Sequence, residues 1–225
     1  MSDVPHLQVP TIAIAHSTAR FPVRRIFCVG QNYADHAREM GSDPNRQPPF
    51  FFTKPADAVV ASGLTLPFPM KTANLHHEVE LVVALSRGGV LVKPLDAHSM
   101  IFGYAVGIDL TRRDMQAEAK KAGRPWDMSK GFDQSAPIGP LTRGIPPSQG
   151  AIALTIDGHV RQAGDLADMI WRVSDIIAFL STYVVVAPGD LIFTGTPAGV
   201  GPVQRGERVR GTIAGIDPVD VTFEK

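Results

Sequence analysis

The sequence has one cysteine, Cys28, in 225 residues. One thiol excludes an intrachain disulfide framework and a thiolate zinc cluster. No window approaches the roughly 18 consecutive apolar residues that a membrane-spanning helix needs. There is no excess charge of either sign: 22 Lys and Arg balance 22 Asp and Glu. A chain with that balance has no bulk attraction for nucleic acid or for an acidic membrane surface, so neither is expected as a partner. The opening residues, MSDVPHLQVP, show no basic stretch followed by an apolar one, so no secretory signal is expected and a cytoplasmic setting is.

What the chain has is an ordinary globular composition, 44% hydrophobic and 20% charged, and enough length to bury a sizeable core. It also has 21 glycines and 19 prolines, spread along the whole length, against an average combined usage of roughly 12%. That pattern predicts many short strands joined by turns, with few long helices. No repeat, low-complexity tract or internal boundary is visible. Residues 1–20 read as an N-terminal extension and 21–225 as the main domain.

Short apolar runs predict strands at 25–30, 50–53, 74–85, 101–110 and 190–194. Hairpins are expected at 152–162 and 207–225. Helices are expected over 32–41, capped by Asn32 or Asp35 and ended by Gly41, over 111–122, and over 169–183 with Ser174 as a candidate cap. The polar, proline-rich 42–49 reads as a surface loop.

Within the 74–85 strand, period-2 geometry puts His76, Glu78, Glu80 and Val82 on one face, and His77, Val79, Leu81 and Val83 on the other. Two carboxylates at the inward end of an apolar strand repel each other unless a cation lies between them, and carboxylate oxygens suit a hard ion. If that face is solvent-exposed, the pair is simply hydrated. Asp109 ends a second apolar strand and would supply a third oxygen, or else caps the helix that follows. His36 and Glu39, three apart on a helix, share a face. They form either a surface ion pair or an imidazole oriented as a general base. The glycine-rich GTPAGVG at 195–201 lacks the Gly-Lys-Ser/Thr ending of a phosphate loop. It is either a tight turn or a set of backbone amides approaching a carboxylate ligand. Arg112, Arg113, Lys120, Lys121 and Arg124, interleaved with acids, read as a solvated helix face. Lys54 and Lys130 are lone lysines near turns, suited to a substrate carboxylate or to plain exposure. Trp126 and Trp171 read as core filling.

Taken in order, VGQNYADHAREMG, FFFTKPADAVV, NLHHEVELVVAL, FGYAVGIDLTRRDMQ, GRPWDMSKGFDQSAPIGP and PGDLIFTGTPAGVGPV resemble the fumarylacetoacetate hydrolase family from about Arg25 to Phe223. The similarity is greatest to its short, single-domain members that cleave acylpyruvates, of the fumarylpyruvate hydrolase type in aromatic-acid catabolism. The resemblance implies an α+β, β-rich fold, a mixed roll or sandwich with a few short helices, and a homodimer. It implies Glu78, Glu80 and Asp109 as ligands of Mg²⁺ or Mn²⁺. It makes His36 and Glu39 a water-activating dyad on a mobile lid, and puts Lys130 beside metal and substrate. Lys54, Arg113, Gln116 and Thr196 fall on positions that line the site. Many members carry Arg where this chain has Gln31, which bears on substrate choice and lid closure.

The expected reaction is metal-dependent hydrolysis of the C–C bond of an acylpyruvate, fumarylpyruvate giving fumarate and pyruvate. Within the family, decarboxylation of oxaloacetate, or isomerisation or decarboxylation of longer ring-cleavage products, would use the same 2-oxo acid chelate. A non-catalytic 2-oxo-acid-binding protein would need the metal ligands but not His36, Glu39 and Lys130.

Overall fold

The computed structural model describes residues 4–41, 43 and 48–225. Of the loop expected over 42–49, residues 42 and 44–47 lie outside the described residues. The architecture is strand-rich, with short helices on its margins.

An eight-stranded mixed sheet forms the centre. Its order is Phe50–Lys54, Arg25–Gly30, Asp190–Phe193, Val79–Leu85, Ile101–Ile108, Ala136–Ile138 and Val59–Ala61, with Thr142–Arg143 also paired to Ile101–Ile108. A five-stranded sheet packs against one face, in the order His159–Asp165, Ala151–Ile156, Arg208–Ile213, Ile216–Phe223, Leu64–Leu66. A small sheet of Thr111–Arg112, Leu75–His77 and Gly201–Val203 stands beside the central one.

The strand Val79–Leu85 is buried at every position because both its faces are covered. Val79, Leu81, Val83 and Leu85 join Val106, Ile108, Ile152, Leu154 and Val221 in the main core. Val82 and Ala84 point the other way and pack with Ile26, Cys28, Phe193 and Leu141. Ile12 and Ile14, from the segment read as an extension, belong to this second cluster, and Thr11–Ala13 pairs with Arg20–Pro22. Gly107 sits on that face against Val82 and Phe193. A Cβ there would lie 2.5 Å from Val82 Cγ2 and 2.8 Å from the Phe193 ring. Gly107→Ala is therefore expected to cost about 1–3 kcal/mol through overpacking, read as a lowered denaturant midpoint.

Three local expectations need correction. The single strand expected over 74–85 is two strands, Leu75–His77 and Val79–Leu85, separated at Glu78 and belonging to different sheets. The helix expected over 32–41 spans Ala34–Glu39 with Tyr33 at its N-cap. Asn32 does not cap it. The Asn32 amide donates to the carbonyls of Thr194 and Trp171 and accepts from the Trp171 N–H, tying three segments together. The later helix runs Val173–Leu180 from an Arg172 cap, not from Ser174, because residues before it are engaged elsewhere: Ile170 N–H donates to Asn32 and Met169 bridges to Tyr33.

The topology gathers the site. Val79–Leu85 runs antiparallel to Ile101–Ile108 and to Asp190–Phe193, Asp190–Phe193 runs parallel to Arg25–Gly30, and Phe50–Lys54 runs antiparallel to that strand. The start of the first strand, the ends of the next three and the start of the last therefore meet at one end of the sheet. Glu80, Asp109, Gly195, Gln31 and Phe50 all lie there.

Candidate metal centre and active site

Glu78, Glu80 and Asp109 are all buried, and each offers an oxygen within 4.8 Å of the other two. Sheet register explains this. Glu80 pairs with Gly107 across the ladder, and the Asp109 N–H donates to the Glu78 carbonyl at 2.8 Å. Glu78 and Glu80 keep the same parity although the strand breaks between sheets. Asp109 is no helix cap: Arg112 holds the N-cap position of Arg113–Ala122. The hydrated-face reading of the two glutamates is excluded by their burial.

Three cations surround the three carboxylates. Lys130, at the end of the short helix Asp127–Lys130, places Nζ 2.8 Å from Glu78 Oε2 and 2.7 Å from Asp109 Oδ2. Arg113 donates to Glu78 Oε1, to Gln116 Oε1 and, at 3.3 Å, to His76 Nδ1. Lys54 lies 2.8 Å from Asp109 Oδ1 and donates to the carbonyls of Leu110 and Lys130. Both lysines are buried, so neither is an exposed loop residue.

The charges are distributed unevenly. Burial would raise Glu78, but Lys130 and Arg113 outweigh it and hold its carboxyl below the ordinary range. Glu80 goes the other way: burial, Asp109 and Glu78 all push its pKa well up, and the Gly195 N–H and Lys130 do not compensate. Lys130 is raised, because Asp109 and Glu78 outweigh the effect of burial. Burial, and then Arg113, bring His76 down to about 4. Among the described residues Glu80 makes no ion pair, and Asp109 Oδ1 accepts no well-directed hydrogen bond. An all-oxygen, anionic donor set with one carboxylate lacking a cation fits a hard divalent ion such as Mg²⁺ or Mn²⁺.

The pocket above the triad is lined by His36, Glu78, Glu80, Arg113, Gln116, Lys130 and Thr196, with Gln31, Phe50, Phe52 and Trp126 at its margins. Its free volume is about 30 Å³, room for one or two waters. His36 is buried, and its Nδ1 lies 3.1 Å from Glu39 Oε2. Glu39 also accepts from the Gly199 N–H at 3.4 Å. The glycine-rich loop thus does bring amides to carboxylates, but to the protein's own. Gly195 N–H donates to Glu80 Oε2 at 2.7 Å. That approach requires glycine: φ is +97° and a Cβ would stand 2.7 Å from the Asn32 Cβ.

Not every expected residue reaches the pocket. Lys54 was expected to line it, but lies beneath Asp109 with its ammonium held by that carboxylate and two carbonyls. Arg113 is not part of a solvated helix face, since its side chain turns inward to Glu78, whereas Lys120, Lys121 and Arg124 are exposed. Trp126 is not core filling; it is half-buried at the pocket margin. Gln162 gave no signal in the sequence beyond a polar residue opposite Leu154 on a hairpin. Its carbonyl accepts from Val79 N–H and lies 2.9 Å from His77 Nδ1, and its amide donates to Thr196 Oγ1 and the Pro197 carbonyl, both at 2.8 Å. It therefore ties the backbone between the two glutamates to the threonine of the pocket.

Residues 25–224 match the family described as fumarylacetoacetate (FAA) hydrolase C-terminal. The chain belongs to the fumarylacetoacetate hydrolase family. It is similar to the crystal structure of a fumarylpyruvate hydrolase from Pseudomonas aeruginosa in complex with Mn²⁺ and pyruvate. That match has a TM-score of 0.96 and 48% identity, covering 100% of this chain and 99% of the other. A fumarylpyruvate hydrolase of Ralstonia sp is 42% identical over 80% of this chain and 95% of its own length. An oxaloacetate tautomerase of Escherichia coli (strain K12) is 39% identical over 87% of this chain and 90% of its own length.

Proposed function

We propose that this family member is a divalent-metal-dependent hydrolase of 3-acylpyruvates, and that its substrate is fumarylpyruvate, cleaved with water to fumarate and pyruvate. The observation that carries the reading is that His36, held by Glu39, lines the same pocket as Glu78 and Glu80 of the acidic triad. A pure binder of 2-oxo acids has no need of an oriented imidazole. A cation held by Glu78, Glu80 and Asp109 would supply Lewis acidity toward the 2-oxo acid end of the substrate.

The side chains divide the remaining work. Glu39 accepts the Nδ1 proton of His36, which leaves Nε2 to remove a proton from water. The hydroxide adds to the distal carbonyl, the bond between that carbon and C3 breaks, and its electron pair stays on the pyruvate fragment as an enolate. Lys130, with its ammonium already fixed over the triad, places positive charge where the enolate oxygen develops. Proton return at C3 gives pyruvate. Gln116 and Thr196 line the pocket and hold the 1-carboxylate. Lys54 acts through Asp109, and Gln31 stands at the pocket margin where lid closure would be felt.

The relatives support two activities. A fumarylpyruvate hydrolase with a TM-score of 0.96, in complex with a metal and one of the two products, favours hydrolysis. The 39% identity to an oxaloacetate tautomerase favours a second reading, in which the same pocket moves a proton between C3 and the 2-oxo oxygen without attack by water. Fumarylpyruvate, acetylpyruvate and oxaloacetate assayed side by side with Mn²⁺ separate them. The expected result is the highest kcat/KM on fumarylpyruvate. Efficient keto–enol exchange of oxaloacetate with no acylpyruvate hydrolysis would replace the first reading with the second. The same reading places the enzyme in aromatic-acid catabolism in the cytoplasm, as a homodimer.

A further inference from the structure

A second hollow, of about 440 Å³, adjoins the pocket and is lined in part by Phe50, Phe52, Trp126, Lys130, Arg124 and Asp127. The first four of these also line the pocket itself, so the two spaces adjoin at these side chains. Lys130 is buried at the inner end and Arg124 is exposed at the outer end. The stretch between is aromatic. Trp126 meets Phe50 at 5.7 Å and Phe52 at 6.0 Å between ring centroids, and the Lys130 ammonium lies 4.8 Å from the Phe52 ring.

The cations nearer the triad are already committed: Lys54 to Asp109, Lys130 to Glu78 and Asp109, Arg113 to Glu78. Arg124 is different. Its backbone is fixed, since its N–H donates to the Ala119 carbonyl just past the left-handed Gly123. Its guanidinium makes no hydrogen bond or ion pair among the described residues. Asp127, also exposed, is the opposing charge in the same groove.

We propose that this groove is the subsite for the acyl part of the substrate, and that Arg124 pairs with a carboxylate at the distal end of the acyl chain. The proposal rests on the acylpyruvate reading above and narrows it to acyl groups that are planar, conjugated and terminally anionic. A planar unsaturated chain lies against the Trp126, Phe50 and Phe52 rings, as a flat π-system prefers. A guanidinium at the far end offers two parallel N–H donors to a carboxylate, a geometry an ammonium lacks. Asp127 opposes a dianionic substrate, so selectivity reflects the balance of the two side chains.

The test is steady-state kinetics of wild type, Arg124→Leu, Arg124→Lys and Asp127→Asn on fumarylpyruvate, which has the distal carboxylate, and acetylpyruvate, which ends in a methyl group. For Arg124→Leu the ratio of kcat/KM on fumarylpyruvate to that on acetylpyruvate is expected to fall at least about fivefold, mainly through KM. Arg124→Lys should recover part of the ratio and Asp127→Asn should raise it. An unchanged ratio in Arg124→Leu, or equal losses on both substrates, overturns the proposal while leaving the hydrolase reading standing. A wild-type protein that hydrolyses neither substrate overturns both.

Discussion

Glu80→Ala is expected to lower kcat/KM by at least about 10³-fold, as loss of a Lewis acid worth several kcal/mol implies, and to abolish stabilisation by added Mn²⁺. Glu80 is the member of the triad without an ion pair among the described residues, and its neutral form is favoured by burial and by the adjacent Asp109 and Glu78. Removing it from the metal-free protein breaks no ion pair. The cost is one orphaned Gly195 N–H and a small void, of the order of 1–3 kcal/mol. Removing Glu78 instead strips the carboxylate partner from Arg113 and one of two from Lys130. Metal-free Glu78→Ala should therefore lose more, about 3–5 kcal/mol. Thermal unfolding with and without Mn²⁺ reads both effects. At a metal concentration 100 times the Kd, wild type should gain about 2.7 kcal/mol and Glu80→Ala nothing. A full metal-induced shift in Glu80→Ala would remove it from the ligand set.

His36→Ala is expected to bind Mn²⁺ as wild type does and to lose at least about 10²-fold in kcat, the lower end of what a positioned general base contributes. The imidazole is buried and held through Nδ1 by Glu39, which the Gly199 N–H holds in turn. Removing the ring deletes the proposed proton acceptor and leaves the three carboxylates in place. Glu39→Gln keeps an oxygen facing Nδ1 but removes its charge, so its loss should be smaller than that of His36→Ala. Metal titration followed by single-turnover hydrolysis separates binding from chemistry. Wild-type kcat in His36→Ala would end the dyad assignment.

The strands read well from the chain because most are short apolar runs bounded by glycine or proline, and Arg25–Gly30 and Asp190–Phe193 lie within a residue of where that pattern puts them. The alternation at 78–83 also placed Glu78 and Glu80 on one face. Period-2 patterning cannot show that a strand leaves one sheet for another, so the break at Glu78 was not legible. Nor was the work of Asn32: an amide before a helical pattern reads as a cap, and its three partners lie some 140 to 160 residues away in sequence. Lys130 and Lys54 show the same limit. A lysine beside a turn reads equally as a ligand for a substrate carboxylate or as exposed, and only tertiary structure shows the protein's own carboxylates brought to it. Gln162 is the clearest omission, because a buried amide is recognised by its four partners and none is near it in the hairpin sequence.

In the proposed function, the buried triad and the His36–Glu39 pair hydrolyse a C–C bond with the help of a divalent cation. Product stoichiometry tests it most directly. With Mn²⁺ present, each fumarylpyruvate consumed should give one pyruvate and one fumarate, EDTA should stop the release of both, and Mn²⁺ or Mg²⁺ should restore it. Loss of the enol absorbance without pyruvate, or pyruvate release unaffected by chelation, would contradict the account.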